Sequence, residues 1–113
     1  MHEDGHLLVA LDGEWDLARA AELGDEISKA LHGAREGDAL ILDLTEVTFV
    51  DSTIIAALHE GAVRASSRGV PFAVVCAGGP VRRVFDLVQL DAVVPIGSTV
   101  GEALGRTGAA RAC

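Results

Sequence analysis

Asp51-Ser52-Thr53 places an acid and two hydroxyls where the local pattern of the chain changes. An apolar run, Ala39-Leu40-Ile41-Leu42, breaks at Asp43 and Thr45, resumes at Val47-Thr48-Phe49-Val50, and meets this triplet. Beyond it the apolar spacing becomes helical. A serine beside an acid could be a nucleophile if a base reached it. His59 lies seven residues further along the same expected helix, roughly 10 Å away, too far for a serine–base hydrogen bond. The strained nucleophile turn requires Gly-x-Ser-x-Gly, whereas Ser52 has Val50 before it and Ile54 after it. No sequence spacing brings His2, His6 or His32 to the serine. The chain is therefore expected not to be an enzyme.

Two roles remain for the triplet. In one, Asp51 or Ser52 caps the helix that follows, satisfying backbone N–H groups left free in its first turn. In the other, Ser52 is a modifiable switch. A phosphate there would add about −1.5 to −2 charges. The helix N-terminus tolerates anions, because its N–H groups and dipole favour negative charge. Such a change would alter what the surface repels without unfolding it, and Asp51 and Asp16 would deepen the negative patch.

Other reactive groups offer less. A phospho-aspartate receiver needs an acidic pair after the first strand and a lysine after the last. Glu14 and Asp16 are a poor match, and the sole lysine, Lys29, falls in the first helix. Gly78-Gly79-Pro80 lacks the lysine and hydroxyl of a P-loop and reads as a tight turn. The four histidines have no metal-pair spacing, and Cys76 and Cys113 are far apart, so neither metal nor cofactor is expected. Arg82-Arg83 reads as a solvated helix face.

These residues need a scaffold, and 113 residues suffice for one domain with an ordinary core. Half the residues are hydrophobic but only 4% are aromatic, so the core must be aliphatic. A net charge of −8 argues against nucleic acid or an anionic membrane as partner. Two cysteines make no disulfide framework and fit a reducing cytoplasm. The N-terminus has no signal-peptide pattern, and no apolar run approaches a membrane span.

In chain order, residues 1–5 are expected to fray, and Leu7–Leu11 to form a strand closed by a turn at Asp12-Gly13. Leu17, Ala20, Ala21, Gly24, Ile27 and Leu31 share a helical face, with Asp16 as N-cap. The unbroken apolar stretch from Ala39 predicts a strand covered on both faces. Ile54, Leu58, Gly61 or Ala62, and Ala65 make the buried stripe of a second helix. Pro71–Cys76 predicts a third strand, and Pro80 opens a helix bearing Val81, Val84, Phe85 and Val88. Ala92–Ile96 predicts the last strand. Thr99 and Glu102 predict a capping box for a final helix through Leu104. Residues 106–113 read as a loose tail. The alternation implies an α/β fold with a mostly parallel sheet of four to five strands and about four helices.

Four stretches together resemble the STAS domain, specifically the anti-sigma factor antagonists. They are Leu11–Asp16, Leu42-Asp43-Leu44 with Val47–Ser52, Val81–Leu87, and Glu102-Ala103-Leu104. The resemblance runs from about Leu7 to Leu104, within a domain placed at residues 6–105. It implies that Ser52 is phosphorylated by an anti-sigma factor that is also a serine kinase, and restored by a serine phosphatase. The unphosphorylated form would bind that kinase and free a sigma factor. Asp16, Asp51, Ser52, Thr53 and Trp15 would face the partner, Trp15 either as an anchor or as core packing. The alternative is a STAS scaffold or regulatory subunit that does not cycle through phosphate, in a stress-signalling complex or a lipid-transport ATPase. The family commonly has glycine where this chain has Ile54, which either adds bulk at the kinase approach or joins the buried stripe. It also commonly has glycine at Gln89 and an aliphatic residue at Trp15.

Overall fold

The computed structural model describes residues 2–3 and 5–107. Its strands are β1 (His2–Glu3), β2 (His6–Trp15), β3 (Ala39–Val50), β4 (Phe72–Val75) and β5 (Ile96–Gly97). Its helices are α1 (Ala20–Gly33), α2 (Ser52–Ser67), α3 (Pro80–Leu87) and α4 (Val100–Thr107). Short 3-10 turns at Leu17–Arg19 and Leu90–Ala92 precede α1 and β5. The strands stand in the order β1-β2-β3-β4-β5. β2 through β5 run parallel, and β1 pairs antiparallel with the start of β2.

Alternation along the central strands builds two cores. Leu40, Leu42 and Leu44 of β3 join Phe72 and Val74 beneath Leu23 and Ile27 of α1, Ile54 and Leu58 of α2, and Phe85 of α3. Ile41, Ala73 and Val75 point the other way, against Ala103 of α4. This explains why β3 and β4 read as unbroken apolar runs: helices cover both faces there. Two glycines allow close layers. A Cβ on Gly97 would stand 2.4 Å from the Ala103 backbone nitrogen, so α4 lies directly on β5. A Cβ on Gly61 would stand 2.7 Å from Ile27 Cδ1, where α1 and α2 meet.

Several sequence expectations need correction. Asp12-Gly13 does not end the first strand. β2 continues to Trp15 with register shifts between Ala10 and Asp12 and between Gly13 and Glu14. Gly13 has φ +82°, so its left-handed backbone serves a bulge rather than a turn. β3 likewise continues to Val50. The buried residues of α1 are Leu23, Ile27 and Leu31, while Leu17 lies in the preceding 3-10 turn and is exposed. The apolar stretch Ala92–Ile96 is mostly not strand: its start is wound into the second 3-10 turn, Val94 packs inward and Val93 faces solvent. His2–Glu3 pair with His6–Leu7 where fraying is expected. Arg106 and Thr107 close α4 rather than start a tail, whose remainder at 108–113 lies outside the described residues. The α2 stripe is as expected: Ile54, Leu58, Gly61 and Ala65 are buried.

Candidate functional site

The last paired residues of β2 and β3 are Trp15 and Val50, so the chain leaves both strands side by side. Asp16 and Asp51 follow, and each becomes the N-cap of the helical segment it enters. Asp16 Oδ1 accepts from the Ala18 N–H at 3.0 Å. Asp51 does more. Its Oδ1 accepts from the backbone N–H groups of Thr53 at 3.0 Å and Ile54 at 3.2 Å, and from the Thr53 hydroxyl. Its Oδ2 accepts from the Leu17 N–H at 3.0 Å, across 34 positions of sequence. One carboxylate therefore ties the start of α2 to the turn that opens α1. The Thr53 hydroxyl foremost, and then the N–H groups of Ile54, Leu17 and Thr53, hold the Asp51 carboxyl below its ordinary range.

This arrangement places Ser52 at the first helical position of α2 with its side chain exposed. Of the two candidates for the cap, Asp51 is the one that serves, and Ser52 is left open at the surface. Thr53 is half-buried and committed to Asp51. Ile54 is 2% exposed and sits in the main core, so it adds no bulk at the surface of the junction. His59 is exposed further along α2.

Trp15 is 2% exposed. Its Nε1 donates to the Asp12 carbonyl at 2.8 Å, and the Arg19 guanidinium lies 3.6 Å from its ring centroid. Of the two roles open to it, the structure gives it packing: an indole sealed beneath an arginine offers a partner no surface. Arg19 also donates to the Asp12 and Glu14 carbonyls, at 3.3 and 3.2 Å, and forms a two-pronged ion pair with Glu22. It thereby fastens the bulged end of β2 to α1. The pair with Arg19 holds the Glu22 carboxyl low.

Sequence reasoning missed two apolar residues at this end of the sheet. Leu17 is 70% exposed and Phe49 is 48% exposed. By its spacing Leu17 shares a helical face with Ile27 and Leu31, and nothing in the pattern marks it as outward. Arg82 also differs from expectation: it is half-buried and donates to the Cys76 carbonyl at 2.7 Å while pairing with Asp86 at 3.2 Å. At the far side of β3 a cleft of about 310 Å³ lies among Leu44, Val47, Cys76 and Pro80, and no charged side chain lines it. No helix among the described residues is long and apolar enough to cross a membrane.

The fold and site define a parallel α/β domain that presents one open serine beside a fully engaged aspartate at the C-terminal rim of its sheet. The chain belongs to the STAS domain family: residues 2–95 match the family model described as Mlab, STAS domain. It is 31% identical over 100 residues to Rv2638 of Mycobacterium tuberculosis, a protein named for an anti-anti-sigma role, covering 88% of this chain and 68% of that one. A crystal structure of an anti-sigma factor antagonist from Mycobacterium paratuberculosis superposes with a TM-score of 0.74 at 27% identity, over 95% of this chain and 89% of that one. The Bacillus cell fate determinant SpoIIAA in its phosphorylated form shares the fold, with a TM-score of 0.63 at 20% identity over 94% of each chain.

Proposed function

We propose that this protein is an anti-sigma factor antagonist of the cytoplasm, controlled through Ser52. Unphosphorylated, it binds an anti-sigma factor that is also an ATP-dependent serine kinase and so frees a sigma factor. Phosphorylation of Ser52 abolishes that binding, and a serine phosphatase restores it. The observation that carries this reading is the division of labour at the junction. Asp51 supplies the helix cap, which leaves Ser52 free to be modified while α2 stays anchored. The likeness to proteins named as anti-sigma factor antagonists supports the same role.

The physical effect of phosphate follows from its surroundings. At the first turn of a 16-residue helix the dianion meets a favourable dipole, so the fold tolerates it. Asp51 and the exposed Asp16 stand at the same junction, so the added charge makes a local cluster of like sign. A partner that approaches with its own phosphates or carboxylates is then repelled. Ile54, where the family commonly has glycine, is buried in the core, so it puts no bulk in the way of a kinase approaching Ser52.

The test is incubation with ATP and each ATP-binding anti-sigma factor of the source organism, read by intact mass. Wild type gains one phosphoryl group, Ser52→Ala gains none and Thr53→Ala still gains one. Absence of phosphate on wild type, or equal labelling of Ser52→Ala, rejects the switch.

A further inference from the structure

We infer that the cavity between the second halves of α1 and α2 binds a small organic anion, a carboxylate or phosphate head on a short apolar body, with Arg64 and Arg68 holding the head. The site is separate from the serine junction, since Arg64 follows Ser52 by about 18 Å along α2. The inference does not depend on the function proposed above.

The spacing of the residues builds the site. Ser28, Leu31 and His32 stand at i, i+3 and i+4 on α1, and Arg64, Ser67 and Arg68 repeat that spacing at the end of α2. Each set forms one helical face. The two faces line one cavity of about 280 Å³. Leu31 is buried and gives it an apolar wall, while His32, Ser67 and Arg68 are exposed around it. The volume lies at the lower end of ligand pockets, roughly 300–1,000 Å³, so the occupant is small.

The polar groups of this wall are donors short of acceptors. Arg64 Nη1 donates to Ser28 Oγ at 2.8 Å. That oxygen accepts, so the Ser28 hydroxyl proton stays available. Arg64 Nε is buried with no hydrogen-bond partner, and no carboxylate among the described residues pairs with Arg64 or Arg68. The nearby acids of α1 do not fill the gap: Glu22 is engaged by Arg19, Glu26 by Lys29, and both line a different hollow with Asp25. Ser67 donates to the Val63 carbonyl at 3.1 Å, which leaves its oxygen outward.

A helix dipole favours a cation in the last turn, and that accounts for His32 or Arg68 taken singly. It does not account for two unpaired arginines facing one cavity in a chain of net charge −8. A buried N–H without an acceptor costs stability, and like charges side by side add to the cost. An anion in the cavity relieves both. Guanidinium forks match carboxylate and phosphate oxygens, and Leu31 with the arginine stems covers an apolar body.

The experiment titrates isotope-labelled protein with acetate, hexanoate, inorganic phosphate and phenyl phosphate at fixed ionic strength, and follows backbone amide shifts. Saturable shifts should centre on residues 28–32 and 64–68, with dissociation constants in the millimolar range for the bare heads. Acetate against inorganic phosphate decides which head the site takes. The favoured head should bind about tenfold tighter with its apolar body attached, as expected if about two methylenes are covered. Arg68→Gln and Arg64→Gln should each weaken binding about tenfold, in line with loss of a charge-assisted bond. Arg68 is exposed, so its replacement should leave the melting temperature nearly unchanged and remains informative if Arg64→Gln is destabilised. Arg83→Gln, exposed on α3, is the control and should bind as wild type. Absence of saturable shifts with all four probes, or shifts centred elsewhere, overturns the site. So does wild-type affinity in Arg68→Gln, or an equal loss in Arg83→Gln. An apolar body that adds no affinity overturns that part of the assignment. Phosphorylation of Ser52, present or absent, bears on none of these outcomes.

Discussion

Replacing Ile54 by alanine separates the two things that residue could do. Ile54 is 2% exposed and packs in the main core, while its N–H caps onto Asp51 Oδ1 at 3.2 Å. Truncation to alanine keeps that bond and removes three carbons from the core. Core truncations of this kind cost 2–5 kcal/mol, and a site wedged between strand ends and a helix start collapses poorly, so we expect about 3 kcal/mol. A domain of this length loses about 4 °C per kcal/mol, so the melting temperature should fall by about 12 °C. Urea denaturation should give a lower midpoint with an unchanged slope. At a temperature where both proteins are folded, the initial rate of Ser52 phosphorylation should match wild type, because the lost atoms face the core. Ile54→Gly adds a helix penalty of about 1 kcal/mol and should behave alike, only less stable. A melting temperature within about 2 °C of wild type, on the same scale of degrees per kcal/mol, would show that the side chain is not core. Phosphorylation markedly faster in either variant would show that Ile54 obstructs the kinase and would refute the assignment.

Further outcomes follow from other contacts. The Asp51 carboxyl is depressed in the folded state, so its contribution is full above its unfolded value near 3.9 and is lost as pH falls through the lower folded value. Urea midpoints should therefore favour wild type over Asp51→Asn at pH 7, with the gap narrowing below about pH 4; a gap that widens with acid would contradict the hydrogen bonds described. Gly97→Ala should cost about 2 kcal/mol or more, because its Cβ meets the backbone of α4 rather than a movable side chain. Gly61→Ala should be close to neutral in the same melts: only the tip of Ile27 must turn, and helix propensity improves by about 1 kcal/mol. The single tryptophan should emit at short wavelength and resist acrylamide quenching, and Trp15→Ala should lower stability by about 3–5 kcal/mol in a urea titration.

The junction was legible in the sequence because two periodicities meet at a polar triplet, and a cap at Asp51 or Ser52 follows from that; the structure selects Asp51. What the triplet does across the fold was not legible. The Leu17–Asp51 bond joins residues whose neighbours say nothing about each other, and only the β2–β3 register brings them together. Asp12-Gly13 shows a similar limit. A turn and a bulge both call for glycine at positive φ, so the local signal is the same and the ladder decides. The two-faced burial of β3 was readable, since a strand with no polar alternation has no face to give to water. The final capping box was readable in type but not in partner. Thr99 Oγ1 accepts from the Glu102 N–H at 3.1 Å, while the Glu102 carboxylate reaches back to the N–H of Ser98 at 3.2 Å rather than that of Thr99. Leu17 and Ala92–Ile96 failed because hydropathy reports a preference for burial, whereas 3-10 turns redirected the side chains.

Each strand of this sheet lies beside its neighbour in the chain, and that order bears on synthesis. A ribosome releases β2, α1, β3 and the first turn of α2 before any of β4 has emerged. Every hydrogen bond to the Asp51 carboxylate comes from this first half. The β2–β3 ladder and both caps can therefore close as soon as about fifteen residues beyond Asp51 have emerged, enough for α2 to form. The serine junction is then an early product of folding, and α3, β5 and α4 complete the cores around a surface already in place.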